Sequence, residues 1–330
     1  MDKDTLAKIR KAYTDTSIFS YDDFPEQAVN VIPTGSLMLD HAIGVGGIPR
    51  GRTTELVGLE GTGKTTLCLH MVAEAQKLGL DVVFIDVENA ISADWARVCG
   101  VDMSKLYLAQ PERAEEALGI ADIVISENSA GLVVIDSAAG LAPDCEFDDD
   151  NKKGGIFKEE NTTGMRRAKL LYHFFRTNVH ALRKNDIALV FTNQLRDNTK
   201  SLYGGTISTC GKSLKYYASV RIELKSFKTG ELEAAGEAAG KEIEVAVVKN
   251  RVGKPLQTAK FTISYDHAIW KAGDVLDTSV EYGIITKRGA YFVYEGETLA
   301  QGKQKTMEAI DSNPELLEEL DRKCREVLNV

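Results

Sequence analysis

A short glycine-rich segment constrains the fold of this chain more than any other feature. Residues 58–65 read GLEGTGKT, which fits the phosphate-binding loop pattern of Gly, any four residues and Gly-Lys-Thr. A strand-like run precedes the segment and a helical pattern follows it, which is the context that such a loop requires. The glycines let backbone N–H groups point at phosphate oxygens, so the segment predicts nucleotide binding. Its predicted nucleotide contacts are Glu60, Gly61, Thr62, Gly63, Lys64, Thr65 and Thr66.

The central region has the alternation expected of an α/β fold. Between residues 32 and 265, short apolar runs alternate with helical patterns, which indicates a mostly parallel, twisted sheet with helices on both faces. The tract 229–241 is rich in Gly, Ala and Glu, and we predict a surface loop there. The predicted strands are 53–57, 82–86, 132–136, 188–193, 219–224, 243–248 and 261–265.

The N-terminal region has a different pattern. Residues 5–13 place apolar side chains at helical spacing and predict a short amphipathic helix, whereas the polar residues 14–26 predict a linker. The apolar run 29–33 predicts an edge strand, paired either within this chain or with a neighbouring one. We expect residues 1–31 to dock one subunit on the next.

The residues after 268 predict a small α+β domain. An apolar run at 291–294, followed by Glu295 and Gly296, predicts a hairpin. A last helix is predicted to begin with Asn313 as its N-cap and Pro314 at its first position. The expected domains are therefore 1–31, a core at 32–268 and a C-terminal domain at 269–330.

Composition narrows the class of protein. The five cysteines are far apart in sequence, so they signal neither a zinc site nor a disulfide framework. No run approaches the roughly 20 apolar residues that span a bilayer, and we expect a cytoplasmic protein. The net charge of −9 argues against a surface that is basic throughout. Nucleic acid would therefore have to bind in a restricted basic groove.

The remaining parts of a nucleotide site follow from the loop. Lys64 is expected to reach the β- and γ-phosphates, and the hydroxyl of Thr65 to ligate Mg²⁺. Asp136 ends a predicted strand, where it would hold the metal through a water or, alternatively, cap the next helix. Beyond the preceding strand, either Asp86 or Glu88 could orient or deprotonate the water that attacks the γ-phosphate. These residue types predict ATP and Mg²⁺ as cofactors.

Several further runs occur in an order that resembles one family. They are IPTGSLMLD at 32–40, GVGGIP at 44–49, FTNQLR at 191–196, LKYYASVR at 214–221, VVKNR at 247–251 and Gly302-Lys303. Together with the glycine-rich loop, Glu88 and Asp136, they resemble the RecA recombinases from residue 32 to the end of the chain. The resemblance implies a RecA-like ATPase core. It also implies a DNA-dependent ATPase that forms filaments on single-stranded DNA and catalyses homologous pairing and strand exchange.

The resemblance assigns roles around the nucleotide. Glu88 matches the glutamate that activates water, which selects it between the two carboxylates left open above. Gln194 matches the glutamine that senses the γ-phosphate, and Trp95 falls where the family places an aromatic residue against adenine. Lys249 and Arg251 match two cations that reach the nucleotide of the neighbouring subunit. Hydrolysis would then require a filament.

The resemblance also implies two loops that line the filament axis, at 145–164 and 195–211. The first half of the earlier loop is acidic and would repel phosphate, so DNA contact is expected only at its basic exit. Cations would contact phosphates, and an aromatic ring could stack on bases. The implied partners are single-stranded DNA, homologous double-stranded DNA and further copies of the chain. The implied DNA contacts are Arg176, Arg196, Lys200, Tyr203, Gly211, Lys212 and Lys215.

Two other functions remain open from the residues. A ring-forming helicase of the same ATPase superfamily would share the loop and Asp136, although the N-terminal helix and linker favour an open filament. An ATP-dependent DNA-binding regulator with vestigial hydrolysis is the second alternative. The presence of Lys64, Thr65 and Glu88 argues against that alternative.

Overall fold

The computed structural model describes residues 3–12, 29–147, 160–197, 206–208, 213–234 and 237–330. The strands are β1 (Val31–Ile32), β2 (Ile48–Pro49), β3 (Thr53–Gly58), β4 (Val82–Asp86), β5 (Leu106–Ala109), β6 (Leu132–Asp136), β7 (Ala188–Asp197), β8 (Thr206–Ser208), β9 (Val220–Ala234), β10 (Glu237–Asn250), β11 (Gln257–Ser264), β12 (Ala268–Ile269), β13 (Thr286–Arg288), β14 (Tyr291–Tyr294) and β15 (Glu297–Gln301). The α-helices are α1 (Lys3–Ala12), α2 (Leu37–Ile43), α3 (Lys64–Lys77), α4 (Ala93–Val98), α5 (Ala114–Ser126), α6 (Glu160–Lys184), α7 (Ser213–Tyr217), α8 (Lys271–Glu281), α9 (Lys303–Asp311) and α10 (Pro314–Leu328). None of the helices in these ranges combines the length and the apolar character that a bilayer crossing needs.

A large sheet organises the core. Its strand order is β12-β11-β10-β9-β3-β7-β6-β4-β5, and β8 pairs with β7 outside this path. The strands from β9 to β5 run parallel, and β10, β11 and β12 extend the sheet in antiparallel fashion. Every residue of β4 and β6 is buried, as expected for strands covered on both faces. The predicted α/β class with a mostly parallel sheet is confirmed.

The register of the parallel strands brings their carboxyl ends together. Gly58 at the end of β3 pairs with Gln194 on β7, and Asp86 at the end of β4 pairs with Asp136 at the end of β6. Parallel α/β sheets present their ligands at this edge. The fold therefore places the glycine-rich loop near side chains at the carboxyl ends of β7, β6 and β4.

One part of the predicted organisation is wrong. Within the tract 229–241, predicted as a surface loop, residues 229–234 belong to β9 and residues 237–241 to β10, and Glu231 pairs with Lys241. Gly, Ala and Glu are depleted in strands, which is why composition indicated a loop. An antiparallel backbone ladder can nevertheless extend past the body of a sheet. The short strand β5 was also not predicted, because its four residues carry too little periodicity.

Apolar clusters on the two faces of the sheet fix the strands around the loop. On one face, Leu67 and Met71 of α3 belong to a buried cluster that includes Phe84 of β4. On the other face, Phe175 of α6 packs against Phe191 of β7 with ring centroids 5.4 Å apart. Because α3 begins directly after the glycine-rich loop, this packing also fixes the exit of the loop.

The C-terminal region contains a separate antiparallel sheet of β13, β14 and β15. The predicted hairpin is confirmed, because β14 and β15 pair on either side of Glu295 and Gly296. The start of the last helix is also confirmed. The side chain of Asn313 accepts a hydrogen bond of 3.2 Å from the backbone N–H of Leu316, and Pro314 lies at the first helical position.

Two buried carboxylates join α2 to the C-terminal region. Asp274 of α8 accepts a hydrogen bond from the backbone N–H of Leu37. Asp40 of α2 accepts two hydrogen bonds of 2.8 Å from the N–H and hydroxyl of Thr34, and it lies 3.9 Å from the guanidinium of Arg325 on α10. Burial raises the pKa of Asp40 to about 8 and the pKa of Asp274 to about 7. These groups can therefore titrate near neutral pH.

The predicted N-terminal helix and edge strand are confirmed. A helix is present as α1, and none of its described side chains is buried. The predicted edge strand is β1, which pairs with β2 of the same chain through Val31 opposite Pro49. The predicted linker at 14–26 lies outside the described residues.

Candidate functional site

The glycine-rich loop adopts a conformation that depends on its glycines. Gly61 and Gly63 have φ angles of +69° and +85°, a region that favours glycine. A Cβ on Gly63 would lie 2.4 Å from Cδ1 of Ile263, and a Cβ on Gly58 would lie 2.6 Å from the carbonyl oxygen of Leu224. The loop therefore requires glycine both for its backbone and for the close approach of its neighbours.

Lys64 is the first residue of α3 and folds back over the loop. Its ammonium group donates hydrogen bonds to the carbonyl oxygens of Gly58 at 3.2 Å and Leu59 at 2.8 Å. Burial lowers the pKa of Lys64, and the nearby carboxylates of Asp136 and Glu88 oppose this shift. The side chain thus places a cation beside the loop.

Thr65 and Asp136 form the second part of the site. The hydroxyl of Thr65 donates a hydrogen bond of 2.6 Å to one carboxylate oxygen of Asp136, and the hydroxyl of Thr192 donates to the other. Burial raises the pKa of Asp136, and the two hydroxyl donors counteract this shift. The structure brings together the two residues that the sequence predicted for a metal.

Glu88 lies just beyond β4 at the same edge of the sheet. Its carboxylate accepts a hydrogen bond from the hydroxyl of Ser137, and the side-chain amide of Gln194 lies 3.5 Å from the same oxygen. Strand β7 thus places the side-chain amide of Gln194 against the carboxylate of Glu88. The geometry brings a carboxylate and an amide to the wall of one cavity.

Asp86, the other carboxylate considered from the sequence, has a different environment. It is buried, and it accepts hydrogen bonds of 3.1 Å from the backbone N–H groups of Ala90 and Ile91 and from the side-chain amide of Gln110. These donors occupy both of its oxygens. Asp86 fixes the segment after β4 and does not line the cavity that contains Glu88.

A cavity of about 290 Å³ contains these groups. The indole N–H of Trp95 donates a hydrogen bond of 3.1 Å to the hydroxyl of Thr66, which places the ring in the cavity wall. All residues predicted from the sequence to contact the nucleotide within this chain line the cavity. The lining residues are Glu60, Gly61, Thr62, Gly63, Lys64, Thr65, Thr66, Glu88, Trp95, Asp136, Ser137, Gln194, Lys241, Ile263 and Tyr265.

The two cations expected to act on a neighbouring subunit lie elsewhere. The ammonium of Lys249 donates hydrogen bonds to the carbonyl oxygens of Lys215 at 2.7 Å and Tyr216 at 2.9 Å, and Arg251 donates to the latter oxygen at 3.3 Å. Burial, followed by the charge of Arg251, lowers the pKa of Lys249. Neither cation lines the cavity of its own chain.

A buried ion pair lies directly below the glycine-rich loop. Glu55 on β3 is 0% exposed. It accepts a hydrogen bond of 2.8 Å from the guanidinium of Arg221 on β9 and one of 2.9 Å from the side-chain amide of Asn193 on β7. The strand that leads into the loop is therefore fixed by side chains from both of its neighbours.

Three of the predicted DNA contacts lie within the described residues, and all are exposed. Arg196 lies on β7 two positions after Gln194, and Lys215 lies on α7. Arg176 lies on α6, with its guanidinium 6.0 Å from the centroid of the Tyr172 ring. The others, Lys200, Tyr203, Gly211 and Lys212, lie outside the described residues.

Sequence reasoning missed several residues of the site. Ser137 could have been found, because it directly follows Asp136 at the end of β6. Thr192 could not, because its contact with Asp136 depends on the pairing of β6 with β7. Lys241 carried no signal, because its tract was predicted as a loop. Ile263 and Tyr265 lie in and just after β11, and nothing local connects that strand with the loop.

Comparisons with known proteins show the family of the chain. The family model for the RecA N-terminal domain matches residues 2–270, and that for the RecA C-terminal domain matches residues 273–329. Protein RecA of Streptomyces avermitilis is 38% identical over 326 residues, which cover 98% of this chain and 84% of the relative. Protein RecA of Bifidobacterium longum is 39% identical over 321 residues, which cover 97% and 78%. Protein RecA of Aquifex aeolicus is 37% identical over 322 residues, which cover 97% and 90%. The chain belongs to the RecA family.

Proposed function

We propose that this chain is a DNA-dependent ATPase that forms filaments on single-stranded DNA and catalyses homologous pairing and strand exchange. One observation carries the proposal most directly: Gln194 contacts Glu88 in the cavity and lies two residues before the exposed Arg196 on the same strand. A nucleotide site and a DNA-facing cation are thus connected by a few residues of β7. Membership of the RecA family supports the same function.

The cavity fits ATP with Mg²⁺. The positive φ of Gly61 and Gly63 and the close approach at Gly58 require glycine at these three positions of the loop. Hydroxyl and carboxylate oxygens, as in Thr65 and Asp136, are the ligands that Mg²⁺ prefers. When bound, the metal would neutralise charge on the β- and γ-phosphate oxygens. Thr65 would bind it directly and Asp136 through a water.

Glu88 is our candidate for the group that acts on water. Ser137 and Gln194 both contact one oxygen of its carboxylate, so the other oxygen is available to orient a water and accept its proton. Lys64 would contact the β- and γ-phosphates and stabilise the charge that develops on them. Trp95 would pack against adenine from the cavity wall.

The same arrangement suggests how DNA would stimulate hydrolysis. Arg196 and Lys215 are exposed, as phosphate contacts must be. When Arg196 contacts a phosphate, the end of β7 would be held in one position. Gln194 would then be fixed against Glu88. DNA binding would thereby complete the catalytic geometry.

Filament formation would bring Lys249 and Arg251 to the nucleotide of the next subunit. The open edge of the sheet offers a surface for this association. Tyr107 and Leu108 of β5 are 63% and 44% exposed, and they line a groove of about 410 Å³ with Ile120 of α5. Exposed apolar edge strands are interaction surfaces. We propose that a second copy of the chain, through its unburied α1, occupies this groove.

The domain division at 1–31, 32–268 and 269–330 remains part of the proposal. Residues 1–31 would dock subunits, 32–268 would carry ATP and DNA, and 269–330 would form the small C-terminal domain. We place the activity in the cytoplasm. The expected substrates are single-stranded DNA and a homologous duplex.

Electron microscopy with single-stranded DNA and a slowly hydrolysed ATP analogue tests this function. Open helical filaments are the expected result, and closed hexameric rings would favour the helicase alternative. Phosphate release should increase when single-stranded DNA is added. Filaments or DNA complexes without any ATP hydrolysis would instead favour a DNA-binding regulator.

A further inference from the structure

A lysine from the β9–β10 hairpin reaches the nucleotide cavity. Lys241 lies on β10 directly opposite Ile263 on β11, and both residues line the cavity. The ammonium group of Lys241 donates a hydrogen bond to the backbone carbonyl of Gly61 in the glycine-rich loop. Because Ile263 packs against the position of Gly63, this pair of strands lies directly against the loop. Strand β10 thus places the ammonium group of Lys241 at the site, in addition to that of Lys64 on α3.

The charge environment distinguishes Lys241 from its neighbours. Lys260 on β11 lies 3.4 Å from Glu242 and 3.9 Å from Glu244. These residues lie on the opposite face of the sheet from Lys241, because successive strand residues alternate between faces. Among the side chains that the structure describes, which do not include that of the cross-strand neighbour Glu231, no carboxylate forms an ion pair with Lys241. Lys241 lines the cavity, so its charge can act on a ligand bound there.

The hydrogen-bonding capacity of the ammonium group leads to the same conclusion. A lysine ammonium has three N–H donors and no acceptor. The contact with Gly61 uses one of them, which leaves donors for oxygens within the cavity. Lys64 similarly donates to the carbonyls of Gly58 and Leu59. Two ammonium groups, one from α3 and one from β10, therefore lie along the same loop.

We propose that Lys241 is a second phosphate-binding cation of this site. Its ligand is the polyphosphate chain of ATP or ADP, and its contact with Gly61 holds the ammonium group at the loop. The inference rests on the nucleotide site proposed above. Through this contact, Lys241 contributes to the preference of the site for ATP and ADP over adenosine.

Competition binding tests the inference. Unlabelled ATP, ADP and adenosine are titrated against a fluorescent ADP analogue bound to the full chain, at several KCl concentrations. We expect Lys241→Gln to raise the Kd for ATP and ADP about tenfold, as for loss of one charge-assisted hydrogen bond, and to leave the Kd for adenosine unchanged. The Kd for ATP should also depend less on salt, because one screened charge contact is lost. Lys241→Arg should retain most of the affinity, and Lys260→Gln should behave like the parent.

The possible results separate this inference from the proposed function. A parent chain that does not bind ATP would overturn both. A parent that binds normally, together with a Lys241→Gln variant of equal ATP affinity, would overturn the inference alone. The inference would also be overturned by an equal loss for ATP and adenosine with an unchanged salt dependence, since Lys241 would then only support the loop backbone. Lys241→Met, which keeps the aliphatic chain, repeats the test if the Gln variant unfolds at a lower temperature.

Discussion

The hydroxyl of Thr65 donates a hydrogen bond of 2.6 Å to the carboxylate of Asp136, across 71 residues of sequence. Thr65 belongs to the first turn of α3 and Asp136 ends β6, so the contact joins a helix to a neighbouring part of the sheet. Thr192 holds the second carboxylate oxygen. A small hard cation requires oxygen ligands with fixed positions, and this pair of side chains is our proposed binding site for Mg²⁺.

Asp136→Asn should weaken the response to Mg²⁺. The amide keeps the shape of the side chain and an oxygen for Thr65 but removes the negative charge. We expect the Mg²⁺ concentration for half-maximal ATP hydrolysis to rise about tenfold or more. The measurement is a Mg²⁺ titration of phosphate release. Asp186→Asn, which removes a carboxylate paired with Arg50, is the control. If Asp136→Asn responds to Mg²⁺ as the parent does, the assignment of Asp136 to the metal site is wrong.

Glu88→Gln should separate nucleotide binding from hydrolysis. The change keeps the hydrogen-bonding shape but removes the base, so turnover should fall about 100-fold or more, while ATP binding and filament assembly persist. Phosphate release and electron microscopy measure the two effects, and the filaments should last longer. Asp86→Asn is the comparison. If it abolishes hydrolysis in a folded protein while Glu88→Gln turns over at the parent rate, the two carboxylates have been assigned in the wrong order.

Arg196→Ala and Lys215→Ala should each remove one phosphate contact. The slope of log K against log salt for single-stranded DNA should decrease in magnitude by about 0.7 for each substitution, whatever the base sequence. ATP affinity without DNA should remain near that of the parent, whereas DNA-stimulated hydrolysis should fall. Lys105→Ala, which removes a lysine paired with Asp102, is the control. A double variant with the parent slope and the parent stimulation would show that DNA binds elsewhere.

The buried Asp40 predicts a pH dependence of stability. Its pKa is raised to about 8, so between about pH 4 and pH 8 the folded state binds more protons than the unfolded state. The free energy of unfolding should therefore fall as pH rises through this range. Asp274, with a pKa of about 7, adds to this fall at pH values below its own pKa. The nearby charge of Arg325 lowers the pKa of Asp40 and thereby limits the contribution of Asp40.

Asp40→Asn should reduce this dependence. The amide oxygen can still accept hydrogen bonds from Thr34, but no proton is bound or released. Denaturant unfolding at pH 5, 6, 7 and 8 should give a slope shallower by up to about 1.4 kcal/mol per pH unit. Asp81→Asn, on the surface, is the control. An unchanged slope in Asp40→Asn would mean that the pKa of this carboxyl is the same in the folded and unfolded states.

The parts of the site that are local in sequence were predictable. The loop at 58–65 needs only its own glycines and its flanking elements, and Asp136 ends a recognisable strand. The choice of Glu88 over Asp86 came from the resemblance to the RecA recombinases. The α/β class followed from the same strands. These patterns are local because strand ends and helix starts are encoded within a few residues.

Contacts between distant elements could not be predicted in this way. Thr192 contacts Asp136 only because β6 and β7 are neighbours in a particular register. Lys241 reaches Gly61 because an antiparallel hairpin continues through a tract whose composition indicated a loop. Asp40 is buried through packing against the C-terminal helices. Such features depend on strand order and packing, which no short segment specifies.

The ion pair of Glu55 has a mechanical consequence. Because Arg221 and Asn193 hold this side chain from the two neighbouring strands, the base of the glycine-rich loop cannot rotate without breaking a buried charge contact, which is costly. The start of the loop would remain stationary through a cycle of hydrolysis, so a change of position would have to occur elsewhere, and our candidate is the part of β7 beyond Gln194. A rigid sheet with one short segment that changes position is the arrangement expected of an ATPase in which a bound γ-phosphate changes the affinity for a polymer.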